Sequence, residues 1–209
     1  MRIGRPRQRV FRRIVLVPAV VLAALVGTPV SASASTAVDL GTLPGYLNSR
    51  PTGVNDDGII VGYTEYPGQR AVRWDRRGRI TDLGTLGGSY SQAVGINARG
   101  TVVGHAATAD GMSRAVRWDP AGRITVLDLL PGGTGGAVIA INDDDMVTGH
   151  ADAADGISHP VRWDRAGRIT NLGTLAGGGR SEAFLINDRG VVVGVSGTAD
   201  GRLHATVWR

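Results

Sequence analysis

Trp74, Trp118, Trp163 and Trp208 are the only tryptophans of this 209-residue chain, and they stand 44, 45 and 45 residues apart. Asn55, Asn97, Asn142 and Asn187 follow at intervals of 42, 45 and 45, and Gly62, Gly104, Gly149 and Gly194 keep the same spacing. A fixed period near 45 signals a repeat architecture. Each repeat is one supersecondary unit that must stack on its neighbours to bury its apolar faces. That excludes a single irregular core and sets the unit count at four.

The turns define the unit. In the second repeat, Ala93-Val94-Gly95-Ile96 is a short extended run, and Asn97-Ala98-Arg99-Gly100 places Gly where a turn needs positive φ. Thr101 to His105 is β-branched and extended. Asp110-Gly111 is a hairpin dipeptide, Arg114 to Trp118 is the next strand, and Asp119-Pro120-Ala121-Gly122 fits a type I turn. Arg123 to Thr125 starts a fourth strand, whole in the preceding copy as Arg79 to Gly84. The third copy has Asp145 where Gly is expected, a residue that tolerates the left-handed conformation. Three turns make four antiparallel strands, and no long helical apolar period occurs after residue 35.

The expected fold is therefore all-β: four repeats of about 45 residues, each a four-stranded antiparallel blade of a small β-propeller. The chain stops at Trp208-Arg209, after a third strand. The fourth strand has its match near the start, where Val38-Asp39-Leu40-Gly41-Thr42-Leu43 parallels Asp82-Leu83-Gly84-Thr85-Leu86. The N-terminal strand is thus expected to complete the last blade and close a monomeric ring without free edges. An open stack, or two chains pairing into a larger ring, is the rival arrangement.

Ser91 to Gly104, Asp82 to Gly88 and His204-Ala205-Thr206-Val207-Trp208 carry three recurring motifs. Together they resemble the HAF family of extracellular repeats, with a pattern near S-x-A-x-x-I-N-x-x-G-x-V-V-G, then H-A-F-x-W, then D-L-G-T-L-G-G. The middle tripeptide departs from the pattern at Arg70-Ala71-Val72, Arg114-Ala115-Val116 and His159-Pro160-Val161. The resemblance spans residues 38–209 and implies secretion. It carries over no catalytic residue.

Residues 1–34 read as a signal peptide: six Arg within the first 13 residues, an apolar run Ile14 to Gly27, then small residues, with cleavage expected between Ala34 and Ser35. The run is shorter than the roughly 20 residues that span a bilayer, so no lasting membrane anchor is expected. Arg12-Arg13 before Ile14-Val15-Leu16 resembles a twin-Arg export motif, and the general secretory route is the alternative. Residues 35–209 form the repeat domain. The formal charge of +5 belongs to the address: beyond residue 34, 17 Arg face 18 acids. A nucleic-acid partner is accordingly not expected. With no cysteine, the chain has no thiol nucleophile and no disulfide.

Three groups of side chains are candidates for chemistry. Tyr46, Tyr66 and Tyr90 map to the face shared by the blade-to-blade connectors and the Asp-Gly hairpins, a plausible ligand surface. Pairing about Asp155-Gly156 would set His159 opposite Asp152 with His150 on the same face, a possible zinc site, although Ala107 and Gly197 replace the Asp in other copies. Acidic turns such as Asp143-Asp144-Asp145 invite calcium but lack the spacing of a known loop. The Asn set reads as turn caps. The Trp set reads as inter-blade packing, and Arg73, Arg117 and Arg162 are expected to pair with nearby Asp or to lie over an aromatic face. The function expected is secreted, non-enzymatic interaction with a glycan, a cell-wall polymer or a protein. An extracellular hydrolase or lyase with an Asp/His site in the central depression is the alternative.

Overall fold

In a computed structural model describing residues 36–209, the turns close as their residues dictate. Asn97 Oδ1 accepts from the Thr101 N–H at 2.9 Å, and the Gly100 N–H donates to the Asn97 carbonyl at 3.0 Å. Asp145 adopts φ +61°, the left-handed conformation expected of it. The third turn repeats its own chemistry: the Asp75, Asp119 and Asp164 carboxylates accept from the backbone N–H and the guanidinium of Arg79, Arg123 and Arg168.

Between these turns, every regular element among the described residues is a strand. Blade 1 holds β1 (Asn48–Val54), β2 (Ile60–Glu65), β3 (Gln69–Trp74) and β4 (Ile80–Asp82). Blade 2 holds β5 (Gly87–Ile96), β6 (Val102–Thr108), β7 (Ser113–Trp118) and β8 (Ile124–Val126). Blade 3 holds β9 (Gly136–Ile141), β10 (Val147–Asp152), β11 (Ser158–Trp163) and β12 (Ile169–Asn171). Blade 4 holds β13 (Ser181–Ile186), β14 (Val192–Gly197) and β15 (Leu203–Trp208). Pairing within each blade is antiparallel between consecutive strands, and one parallel pair, Gln69 with Tyr90, links blades 1 and 2.

The core lies in the seams between blades. Trp118 clusters with Val61, Ala71 and Leu83 of blade 1, and Trp163 with Val103, Ala115, Leu127 and Leu130 of blade 2. Burying one indole removes roughly 200 Å² from water, a gross gain of about 5 kcal/mol. Trp118 and Trp163 therefore each pack on the blade before them, the role expected from the repeat.

Two polar devices cross the same seams. The Asn side chains do more than cap. While Oδ1 holds its own turn, Nδ2 donates to the equivalent carbonyl of the next blade: Asn55 to Asn97 at 3.2 Å, Asn97 to Asn142 at 3.0 Å, Asn142 to Asn187 at 2.7 Å. The Arg residues differ from expectation. Arg73 donates to the Pro120 carbonyl at 2.9 Å, Arg117 to that of Arg165 at 2.8 Å, and Arg162 to that of Gly190 at 2.7 Å. A planar guanidinium satisfies backbone oxygens at the seam better than it would a carboxylate already occupied by its own turn.

The inner strands follow one another, β1 packed on β5, β5 on β9 and β9 on β13. Among the described residues, β13 makes no such packing with β1. The strand expected over 38–43 is not formed, and β15 stays outermost in a three-stranded blade. The physical reason is that β15 is not brought to the segment. Val38 to Leu43 is held at blade 1, where the Leu40 carbonyl accepts from Trp74 Nε1 at 2.9 Å. The export signal expected over 1–34, with its Ala34–Ser35 cleavage point, lies outside the described residues.

Candidate ligand-binding groove between the third and fourth blades

The repeated glycine is the starting point of the site. A Cβ on Gly62, Gly104, Gly149 or Gly194 would lie 1.9 to 2.0 Å from the carbonyl oxygen of Arg50, Gln92, Ala137 or Glu182 on the adjoining inner strand. No side chain fits such an approach. The crowding comes from a β-bulge beside each glycine, where the register steps past Thr52, Val94, Ile139 or Phe184. Each bulge leaves one residue unpaired and re-aims its side chain.

The geometry repeats, but the side chains do not. Thr52 reaches the Ala93 carbonyl at 2.9 Å, and Val94 packs into a seam. Ile139 and Phe184 stay open to solvent, Phe184 at 43%. They lie in a groove of about 580 Å³ between blades 3 and 4, a size suited to a small ligand or a short stretch of polymer. Ile157 extends the apolar floor. His150, Ser158 and the ion-paired Arg180 and Glu182 form the polar border. The bulge positions were not legible as a site. Their only trace in the sequence is a glycine inside a β-branched run.

Of the residues expected to bind metal, His150 and Asp152 share a face of β10, as the alternation requires. His159 does not join them. The ladder sets it opposite Ala151, with Ser158 opposite Asp152, so the expected register was off by one residue and His159 turns to the other face. Its Nε2 instead lies 3.0 Å from Asp155 Oδ2. A backbone hydrogen bond from Ile157, then His159, lowers the Asp155 pKa. No cluster of three metal-ligating side chains occurs among the described residues.

The backbone places Tyr46, Tyr66 and Tyr90 about one turn. The β2–β3 turn carries Tyr66, 60% exposed, whose carbonyl accepts from the Leu47 N–H at 3.0 Å. Tyr46 precedes Leu47, and Tyr90 pairs with Gln69 on the other side of that turn. The Tyr90 hydroxyl donates to Gln92 at 2.8 Å.

One further histidine sits in a seam. His105 Nε2 accepts the Val138 N–H at 3.3 Å, and burial, then His150, lowers its pKa below 6.5.

No family model matches the sequence, and no curated protein matches it. Among solved structures, the chain is similar to TolB from Acinetobacter baumannii, with 14% identity and a TM-score of 0.51 over 81% of this chain and 45% of that one. It is also similar to XC5397, a gluconolactonase from Xanthomonas campestris, with 14% identity and a TM-score of 0.43 over 74% of this chain and 60% of that one. A virginiamycin B lyase from Staphylococcus aureus gives 14% identity and a TM-score of 0.34, over 75% and 69%. The chain thus spans less than half of the TolB chain. The TolB likeness identifies a β-propeller-like, all-β fold.

Proposed function

We propose that the chain is a secreted recognition protein, without chemistry of its own, that holds an extracellular glycan or cell-wall polymer in the groove between blades 3 and 4. The observation that carries this reading is the exposed Phe184 ring beside Ile139, bordered by Arg180, Glu182 and His150. An apolar floor suits the C–H face of a sugar ring. A guanidinium and a carboxylate side by side suit its hydroxyls, one as donor and the other as acceptor. The Arg-rich start and the HAF-like motifs support an extracellular setting. The likeness to solved structures bears on the fold alone.

The test is binding of the purified protein to cell-wall fractions and a glycan panel, with Phe184→Ala and Tyr66→Ala as variants. A loss of tenfold or more with Phe184→Ala, and none with Tyr66→Ala, supports the groove. The reverse pattern would place binding at the tyrosine-flanked turn. Retention on no polymer, or release of cleaved sugars by mass spectrometry, would overturn the reading.

A further inference from the structure

Strands β3, β7 and β11 each carry a short fourth strand in one register, with Val72 opposite Asp82, Val116 opposite Val126 and Val161 opposite Asn171. A leucine then locks each pair: Leu83, Leu127 and Leu172 donate their N–H to Ala71, Ala115 and Pro160, all at 2.9 Å. Strand β15 has no such partner among the described residues.

The sequence that matches a fourth strand, Val38 to Leu43, stands at blade 1. There it behaves as the outer strand of a preceding blade. The Leu40 carbonyl accepts from Trp74 Nε1 at 2.9 Å, one residue ahead of the equivalent place in blade 2, where the Asp128 carbonyl, beyond β8, accepts from Trp163 Nε1 at 2.8 Å. Ser49 Oγ donates to the Gly41 carbonyl at 2.9 Å, and Thr42 Oγ1 to the Tyr46 carbonyl at 3.0 Å, which fastens the segment to its own first blade.

Blade 4 presents the complementary lack. Val61 and Val103 on the forward faces of blades 1 and 2 are fully buried by the blade that follows. Their equivalent Val193 is 40% exposed, with Leu185 and Val207 opposite it in the ladder and Leu203 nearby. Val207 also replaces the seam-crossing Arg of the other blades. Asn187 caps its own turn but makes no forward bond among the described residues.

We infer that these two ends complete each other between copies of this chain. Residues Val38 to Leu43 of one copy add as the fourth strand to β15 of a second, and the apolar forward face of that blade 4 packs against blade 1 of the first. The repeat register sets Asp39 opposite Thr206 and Val38 opposite Val207, with the Leu40 N–H donating to the Ala205 carbonyl. The occupant is a second copy because the chain itself carries the missing strand, and because the new seam continues one already formed three times within it. Closure within one chain would need β13 packed on β1, which the fold does not provide. A head-to-tail contact of this kind closes into a ring of two or more copies when its rotation closes, and otherwise runs on as an open filament.

The absence of cysteine makes the test clean. Sedimentation of the purified protein at micromolar concentration should give a dimer or larger closed oligomer. Val193→Asp/Val207→Asp, which charges an exposed face, should give a monomer with unchanged circular dichroism. Val38→Cys and Val207→Cys, each carried by a different co-expressed copy, should form a disulfide that joins the two copies. A monomer at every concentration, or a Val38→Cys/Val207→Cys double variant that cross-links only within one chain, would overturn the inference.

Discussion

Gly149→Ala adds one methyl where the fold has no room. The new Cβ would lie 2.0 Å from the Ala137 carbonyl oxygen and 3.0 Å from both the Ala137 carbonyl carbon and Val138 Cα. An ordinary carbon–oxygen contact is more than an ångström longer, and the obstacle is backbone rather than a side chain that could rotate away. Overpacking a core typically costs about 1–3 kcal/mol, and a backbone clash belongs at or above the top of that range. In a domain of this size, about 3 kcal/mol lowers the melting temperature by roughly 6–12 °C. Gly95→Ala is the control. Its Cβ would meet only Ile141 Cγ2 and Val103 Cγ2, both at 4.0 Å, and the gain from a stiffer unfolded chain is about 0.4–1 kcal/mol. Urea titration followed by tryptophan fluorescence measures both variants, since Trp74, Trp118 and Trp163 are buried and report directly on the packing. If Gly149→Ala costs under about 1 kcal/mol, or matches Gly95→Ala, the repeated glycine is not there to admit the bulge.

Asn97→Ala should destabilise by about 2 kcal/mol, because it removes both the cap on Thr101 and the donation to Asn142, while Asn187→Ala, which loses only a cap, should cost about half as much in the same titration. Trp163→Phe should cost about 1 kcal/mol more than Trp118→Phe by urea midpoint, since Trp163 Nε1 donates to Asp128 whereas Trp118 Nε1 is buried without a partner among the described residues. The folded His105 stays neutral to lower pH than the unfolded chain, so protons favour unfolding. Stability should begin to fall as pH drops through about 6.5, and His105→Leu should flatten that slope in melting curves taken between pH 8 and 5.

The local frame was legible in the sequence because each turn is a short-range chemical fact. An Asn four residues before the N–H it caps, or a Gly at positive φ, needs nothing from the rest of the chain. Pairing across seams was not legible, because the same residues serve two partners. Asn97 looks complete as a cap until the next blade presents a carbonyl to its free amide hydrogens. Arg117 has Asp119 two residues away, yet that carboxylate is already taken by Arg123. The metal grouping failed on a one-residue error in register, which turns a side chain through the sheet. The groove was hidden because the bulge is a backbone event, and the residue it leaves unpaired, Thr52, Val94, Ile139 or Phe184, is free to differ from copy to copy.

The Asn bonds all run one way, from each blade to the one after it. Such a chain has a donor end and an acceptor end, as a helix does, and its links are interchangeable. Removing residues 98–142, one full period, would join Asn97 to the turn and strand that now follow Asn142 and leave each surviving amide facing an equivalent carbonyl. Whole blades can thus be lost or gained at this position without inventing a new contact, whereas a cut that is not a whole number of periods would break the sequence of donors at once.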